Sequence, residues 1–179
     1  MKVLYEQDTE GCIQETVIVE EKVLAEGLLA AELPAQLSIM PEAMRDMYYP
    51  YDNRPLMLLA DADGSFHMTL QIIEQKLAPD ETGSAAEAVR NCVERMYPHS
   101  GLSPVYLFRK GEIPVGWFAM SLDEAGEPFV HVKAVFPVHN LLCLTTITYP
   151  EPDRLKWMAI FNHFFATLQE RGSRDAGSK

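Results

Sequence analysis

The sequence predicts an α+β domain, an antiparallel β-sheet flanked by helices in an α/β/α sandwich, and three observations predict it. Four apolar segments, 105–108, 115–122, 129–138 and 141–149, are closely spaced, with breaks at Lys110-Gly111-Glu112, Glu124-Ala125-Gly126-Glu127 and His139-Asn140. That is the pattern of an antiparallel meander. Two further segments, 84–97 and 152–170, repeat apolar residues at helical spacing. An Asp63-Gly64 pair sits between two short strand-like runs, where glycine supplies the positive φ of a hairpin turn.

Taken in order, residues 1–16 are polar and read as a lead-in or a short edge strand. Residues 16–24 are rich in Val and Ile and favour a strand. Gly27 breaks the chain, and 28–33 forms a second short segment that ends at Pro34. Residues 41–47 read as one or two helical turns. Pro41 suits the first helical position, where its missing N–H is not needed, and Glu42 suits the positive end of the helix dipole. Pro50 and Pro55 then push the chain towards extended geometry. Segments 56–60 and 66–73 are strands. In the second, Phe66, Met68, Leu70 and Ile72 share one face and His67, Thr69 and Gln71 the other.

Ser84 and Glu87 have the spacing of a capping box at the start of the 84–97 helix. Its expected buried stripe is Ala85, Val89, Cys92, Val93 and Met96. Along 129–138, Val130, Val132, Ala134 and Phe136 are expected to face the core, which leaves His131 and Lys133 on the other face. Residues 116–120 are apolar on both faces, as a strand covered from both sides would be. In the last helix Trp157, Phe161, Phe164 and Leu168 form the packing stripe, with Met158, Ile160 and Phe165 beside it. Lys156, His163, Thr167 and Glu170 are expected on the opposite side. The organisation is one domain over 1–171 and a small polar tail, 172–179, expected to be disordered.

Composition bounds the function. Hydrophobic residues make up 47% of 179 residues, enough for a core. A net charge of −11 repels phosphate backbones and anionic lipids, so nucleic-acid and membrane partners are not expected. Three cysteines, Cys12, Cys92 and Cys143, lack CxxC spacing, which fits a reducing compartment better than a disulfide scaffold. Cys92 and Cys143 lie in apolar periodic segments and are expected to be buried. No signal-peptide segment and no membrane span is visible, and the protein is expected to be cytoplasmic.

Motifs for chemistry are sparse. No G-x-S-x-G, Walker A or G-x-G-x-x-G pattern occurs. In Asp61-Ala62-Asp63-Gly64 the glycine arrives too early for an EF-hand calcium loop. The histidines 67, 99, 131, 139 and 163 show no zinc spacing. No catalytic residue, metal ligand or cofactor is therefore assigned. His67 and His131 could meet on the polar face of the sheet. Glu42, Asp46 and Asp52 lie near Arg45 and Arg54 as surface ion pairs. The tyrosine loop Tyr48-Tyr49-Pro50-Tyr51, with Arg54, is the best recognition surface, because rigid amphipathic aromatics bind with little entropy loss. Its bland alternative is a loop folded over the edge of the core.

Several stretches carry a family resemblance. They are Glu26-Gly27-Leu28-Leu29-Ala30-Ala31-Glu32-Leu33-Pro34, Tyr49-Pro50-Tyr51-Asp52-Asn53-Arg54-Pro55, the turn at Asp63-Gly64, the closing meander and the helix around Trp157. Over residues 17–170 the chain resembles the PsbP/Mog-like α/β/α sandwich family, most of all its short, uncharacterised bacterial members. That family includes a photosystem II extrinsic subunit and a Ran-binding nuclear-import factor. The resemblance implies an antiparallel sheet between helices and no known catalytic residues. No transit peptide or lipoprotein cysteine is read in the sequence, and photosynthetic or envelope roles are not expected.

The expected function is a non-enzymatic domain that binds another protein through Tyr48, Tyr49, Tyr51 and Arg54 and the sheet face near His67, His131 and Lys133. The alternative is a small-molecule binder or an unrecognised enzyme with a pocket between sheet and helix. A homodimer joined through an open sheet edge is also compatible with the sequence, as is a monomer.

Overall fold

The computed structural model describes residues 2–7, 14–124 and 126–172. The chain begins with three antiparallel strands, β1 (Lys2–Gln7), β2 (Gln14–Leu24) and β3 (Leu29–Pro34). The short β4 (Ser38–Ile39) and helix α1 (Glu42–Tyr48) lead to the hairpin of β5 (Met57–Ala60) and β6 (His67–Lys76). Helix α2 (Thr82–Met96) follows. Next come β7 (Gly101–Leu102), β8 (Tyr106–Phe108), β9 (Val115–Glu124), β10 (Glu127–Val138) and β11 (Leu141–Pro150). Helix α3 (Arg154–Thr167) and β12 (Gln169–Glu170) close the domain.

The strands form two antiparallel sheets. The large one runs β4-β5-β6-β11-β10-β9-β7, with β8 also on β9, and the small one runs β1-β2-β3-β12. The expected α+β sandwich is present, and the N-terminal strands build a sheet of their own. Between the two sheets lies the main core, into which α3 delivers its aromatic face. Phe66 stacks on Trp157 with ring centroids 3.8 Å apart, and Trp117 meets Phe161 at 5.2 Å. Burial of one such aromatic side chain contributes on the order of 2–3 kcal/mol.

The other face of the large sheet carries α2. A Cβ on Gly116 would stand 2.6 Å from the Ala86 Cβ and 3.0 Å from the Thr82 carbonyl oxygen, so only glycine lets the helix approach this closely. Residues 116–120 are apolar on both faces for this reason. Trp117 and Ala119 face the main core, and Phe118 and Met120 pack with Val93 of α2. At the far end of the same face, Met40, Leu58 and Ala60 form a smaller cluster with Met44 and Tyr49.

Several expectations change. Helix α2 begins at Thr82, and the Ser84–Glu87 capping box does not form. A 3-10 turn, Pro79–Glu81, feeds the helix earlier, and Glu81 accepts the Ala78 N–H instead, at 3.0 Å. The buried stripe is Thr82, Ala86 and Val93, while Cys92 and Met96 are exposed because the close contact at Gly116 rotates the helix onto Ala86. Helix α3 stops at Thr167, and Gln169 and Glu170 pair with Ala30 and Leu29 of β3. His163 and Thr167 face this small sheet rather than water. The His163 Nε2 lies 2.7 Å from Glu32 Oε2, and Thr167 Oγ1 accepts the Glu32 N–H at 3.0 Å. The β5–β6 connection is a six-residue loop, not a tight turn, closed by Asp61 accepting the Phe66 N–H and the Ser65 hydroxyl.

The tail from 173, expected to be disordered, lies outside the described residues, as do Cys12 and Ala125. No helix among the described residues is long and apolar enough to cross a membrane.

Candidate functional site

Strand β6 alternates apolar and polar residues, so one of its faces cannot join the main core. Strands β11 and β10 continue that polar face through their register. His67 pairs with Thr148, and Thr148 with His131. One step along, Thr69 pairs with Thr146, and Thr146 with Lys133. Directly opposed residues share a face with Cβ atoms about 5 Å apart, so two polar rows lie side by side. They are internally bonded. Thr148 Oγ1 lies 3.0 Å from His131 Nδ1, and the Lys133 ammonium donates to Thr146 Oγ1 at 3.2 Å.

Helix α2 covers β9 and β10, and the end of α1 stands over β5 and β6. The uncovered middle is a cleft of about 700 Å³ whose floor is these two rows. Tyr48 and Tyr49 form one wall, together with Asn53 and Pro55. Tyr97, at the C-terminal end of α2, stands on the other. The Tyr48 ring lies 5.1 Å from the His67 ring, and Tyr49 meets His67 edge-on at 6.1 Å. Gly64, at φ +76, brings the β5–β6 loop under Met44 and Tyr48, where a Cβ would stand 3.1 Å from the Met44 thioether. The loop after α1 is clamped by Arg54, which donates to Asp46 at 2.6 Å and to the Tyr51 carbonyl at 3.2 Å.

The floor is electrostatically unusual. Burial, with the neighbouring Lys133 charge, holds the His131 pKa down at about 4, so its imidazole is neutral near pH 7. Burial also lowers the Lys133 pKa. Among the described residues that line the cleft there is no Asp or Glu. The chemistry on offer is therefore hydroxyls, carboxamides, two imidazoles and one ammonium between tyrosine walls.

No family model matches this sequence, and no curated protein matches it. Solved structures do match. A point mutant of Mog1 superposes with a TM-score of 0.57 at 7% identity, over 87% of this chain and 97% of that one. LpqN of Mycobacterium tuberculosis, involved in cell envelope biogenesis, gives 0.55 at 10% identity, over 86% and 92%. A Bacteroides thetaiotaomicron protein gives 0.56 at 12% identity, over 89% of this chain and 50% of that chain, so this chain spans half of its length. The chain has the PsbP/Mog-like fold. At these identities the likeness is one of fold.

Within this PsbP/Mog-like domain, Tyr48, Tyr49, His67, His131 and Lys133 come together at the cleft. Tyr51 and Arg54 do not line it. Tyr51 is 72% exposed beyond the rim, and Arg54 is turned back onto α1. His67 and His131 do not meet directly, because β11 lies between their strands and places Thr148 in the gap. Among the described residues, no three His, Cys, Asp or Glu side chains gather as a metal site would require. The sequence reasoning missed Thr146, Thr148 and Tyr97. The two threonines were findable from the alternation of Leu144, Thr146 and Thr148 with Cys143, Thr145 and Ile147. Tyr97 was findable as the last aromatic before Pro98.

Proposed function

We propose that the protein is a non-enzymatic binding domain that seats a segment of a partner protein in the cleft between α1 and α2. One observation carries the proposal, the tyrosine-walled cleft of about 700 Å³ over a floor of bonded polar rows. Aromatic walls bind with little loss of side-chain entropy, and convergent polar groups at the floor fix orientation. Exposed Tyr51 widens the contact beyond the rim. Arg54 serves the site by holding the loop against α1. The exposed free thiol of Cys92 fits a reducing compartment, and on that ground we place the protein in the cytoplasm.

A second reading, a small-molecule site, draws on the same volume, which falls in the range of ligand pockets. The test is capture of partners from native lysate by the wild type and by Tyr48→Ala/Tyr97→Ala, two changes at partly exposed walls. A stoichiometric protein bound by the wild type and held at least about tenfold more weakly by the double variant supports the proposal. Equal binding by both chains overturns it. An empty capture with a metabolite-dependent rise in melting temperature favours the second reading.

A further inference from the structure

We propose that the floor of the cleft receives a carboxylate, carried by an acidic side chain of the segment that the cleft seats. This inference rests on the protein-binding reading above and names what that site selects.

Lys133 is the reason. Its ammonium lies at the floor and donates to Thr146 Oγ1. An ammonium has three N–H donors, and a hydroxyl partner leaves the charge itself unbalanced. Among the other described cations, Lys22, Arg45, Arg54, Arg90 and Arg171 each have a carboxylate within 4.0 Å, and Lys76, Arg95, Arg109, Lys110 and Arg154 are exposed to water. Lys133 makes no ion pair among the described residues, although the chain carries 26 acids against 15 bases. None of the described acids lines the cleft. A partly buried cation with no carboxylate partner among the described residues weakens the fold, and a bound anion compensates it.

The surroundings narrow the anion. Lys133 is the one Lys or Arg that lines the cleft, and its single ammonium matches the single charge of a carboxylate. A phosphate monoester brings up to two negative charges and favours a bidentate arginine. Thr146 Oγ1 accepts from Lys133 and keeps its own hydrogen, which can be donated to the second carboxylate oxygen. Above this polar floor the mouth is apolar and aromatic, with Tyr48, Tyr97 and Ile73 partly exposed. That combination suits an acidic residue flanked by apolar or aromatic neighbours in a peptide, rather than a free acid.

A displayed random-peptide library panned on the intact wild-type chain, on Lys133→Met and on Tyr48→Ala/Tyr97→Ala tests this. Wild type is expected to enrich peptides with Asp or Glu beside an apolar or aromatic residue. The best peptide, remade with the acid as its amide, is expected to bind at least about tenfold more weakly. Lys133→Met is expected to bind the acid and amide peptides equally, while melting at or above the wild-type temperature. Enrichment without an acid, or an acid preference that survives in Lys133→Met, overturns the carboxylate. Binding lost only in the tyrosine variant keeps the cleft reading and removes the carboxylate. A library that yields no binder to wild type overturns the protein-segment reading, and the inference with it. If Lys133→Met does not fold, the acid and amide peptides on wild type decide the matter alone.

Discussion

At the scale of single residues, His131 shows what the polar rows cost. An imidazole between Thr148 and Lys133 is deprived of water and placed beside a positive charge, and both effects oppose its protonation. Its folded-state pKa of about 4 lies below its ordinary value of 6.5. Folding therefore favours the neutral form. The stability that follows is fully present above pH 6.5 and is lost as the pH falls towards 4. At pH 4.5 the loss from this residue is about 2 kcal/mol, allowing for its partial exposure. Urea denaturation of wild type and His131→Gln at pH 7 and pH 4.5 measures it. The wild type is expected to lose about that much more than the variant on acidification, because carboxylates common to both cancel in the difference. Equal losses would mean that the imidazole is solvated.

At the scale of elements, the cleft exists because α2 stops short of α1. The helix is pulled onto β9 by the contact of Ala86 with the bare Gly116 backbone, which fixes where its end, and therefore Tyr97, stands. Gly116→Ala puts a methyl group into that contact and is expected to destabilise by about 2 kcal/mol. Adding Ala86→Gly is expected to return part of the loss, less the cost of glycine within a helix. Denaturant midpoints of the two single variants and the double variant check this. A Gly116→Ala chain as stable as wild type would show that the helix is not seated there.

The same contact explains a limit of sequence reasoning. Helical periodicity put Cys92 and Met96 in the buried stripe, because hydrophobicity alone cannot tell which apolar residues meet the sheet. The small residues Ala86 and Gly116 decided it. Similarly, His163 and Thr167 looked like an outer face until the small sheet supplied Glu32, 131 residues from His163. Where a face was settled by strand alternation, as for His67 in β6 and for His131 and Lys133 in β10, the sequence was sufficient. Period-2 geometry leaves no third option.

For the whole molecule, the order of the elements was readable and the division into two sheets was not. Each strand of β2 and β3 shows its own propensity, but its pairing is a non-local choice. The cleft likewise depends on β11 lying between β6 and β10, which sets Thr148 between two histidines that sequence alone left as a possible pair. The tyrosine loop was legible as an irregular, proline-bounded aromatic stretch. The division of labour within it was not, since Tyr48 and Tyr49 turn inwards, Tyr51 outwards and Arg54 back onto α1.

The most direct test of binding at this cleft is amide hydrogen exchange, read by mass spectrometry, on the chain with and without its captured partner or best-binding peptide. Protection is expected in the four stretches that line the cleft, 48–55, 67–71, 131–133 and 144–148. Protection confined to β2, where Ile18 and Val23 are exposed, with the four stretches unchanged, would contradict it.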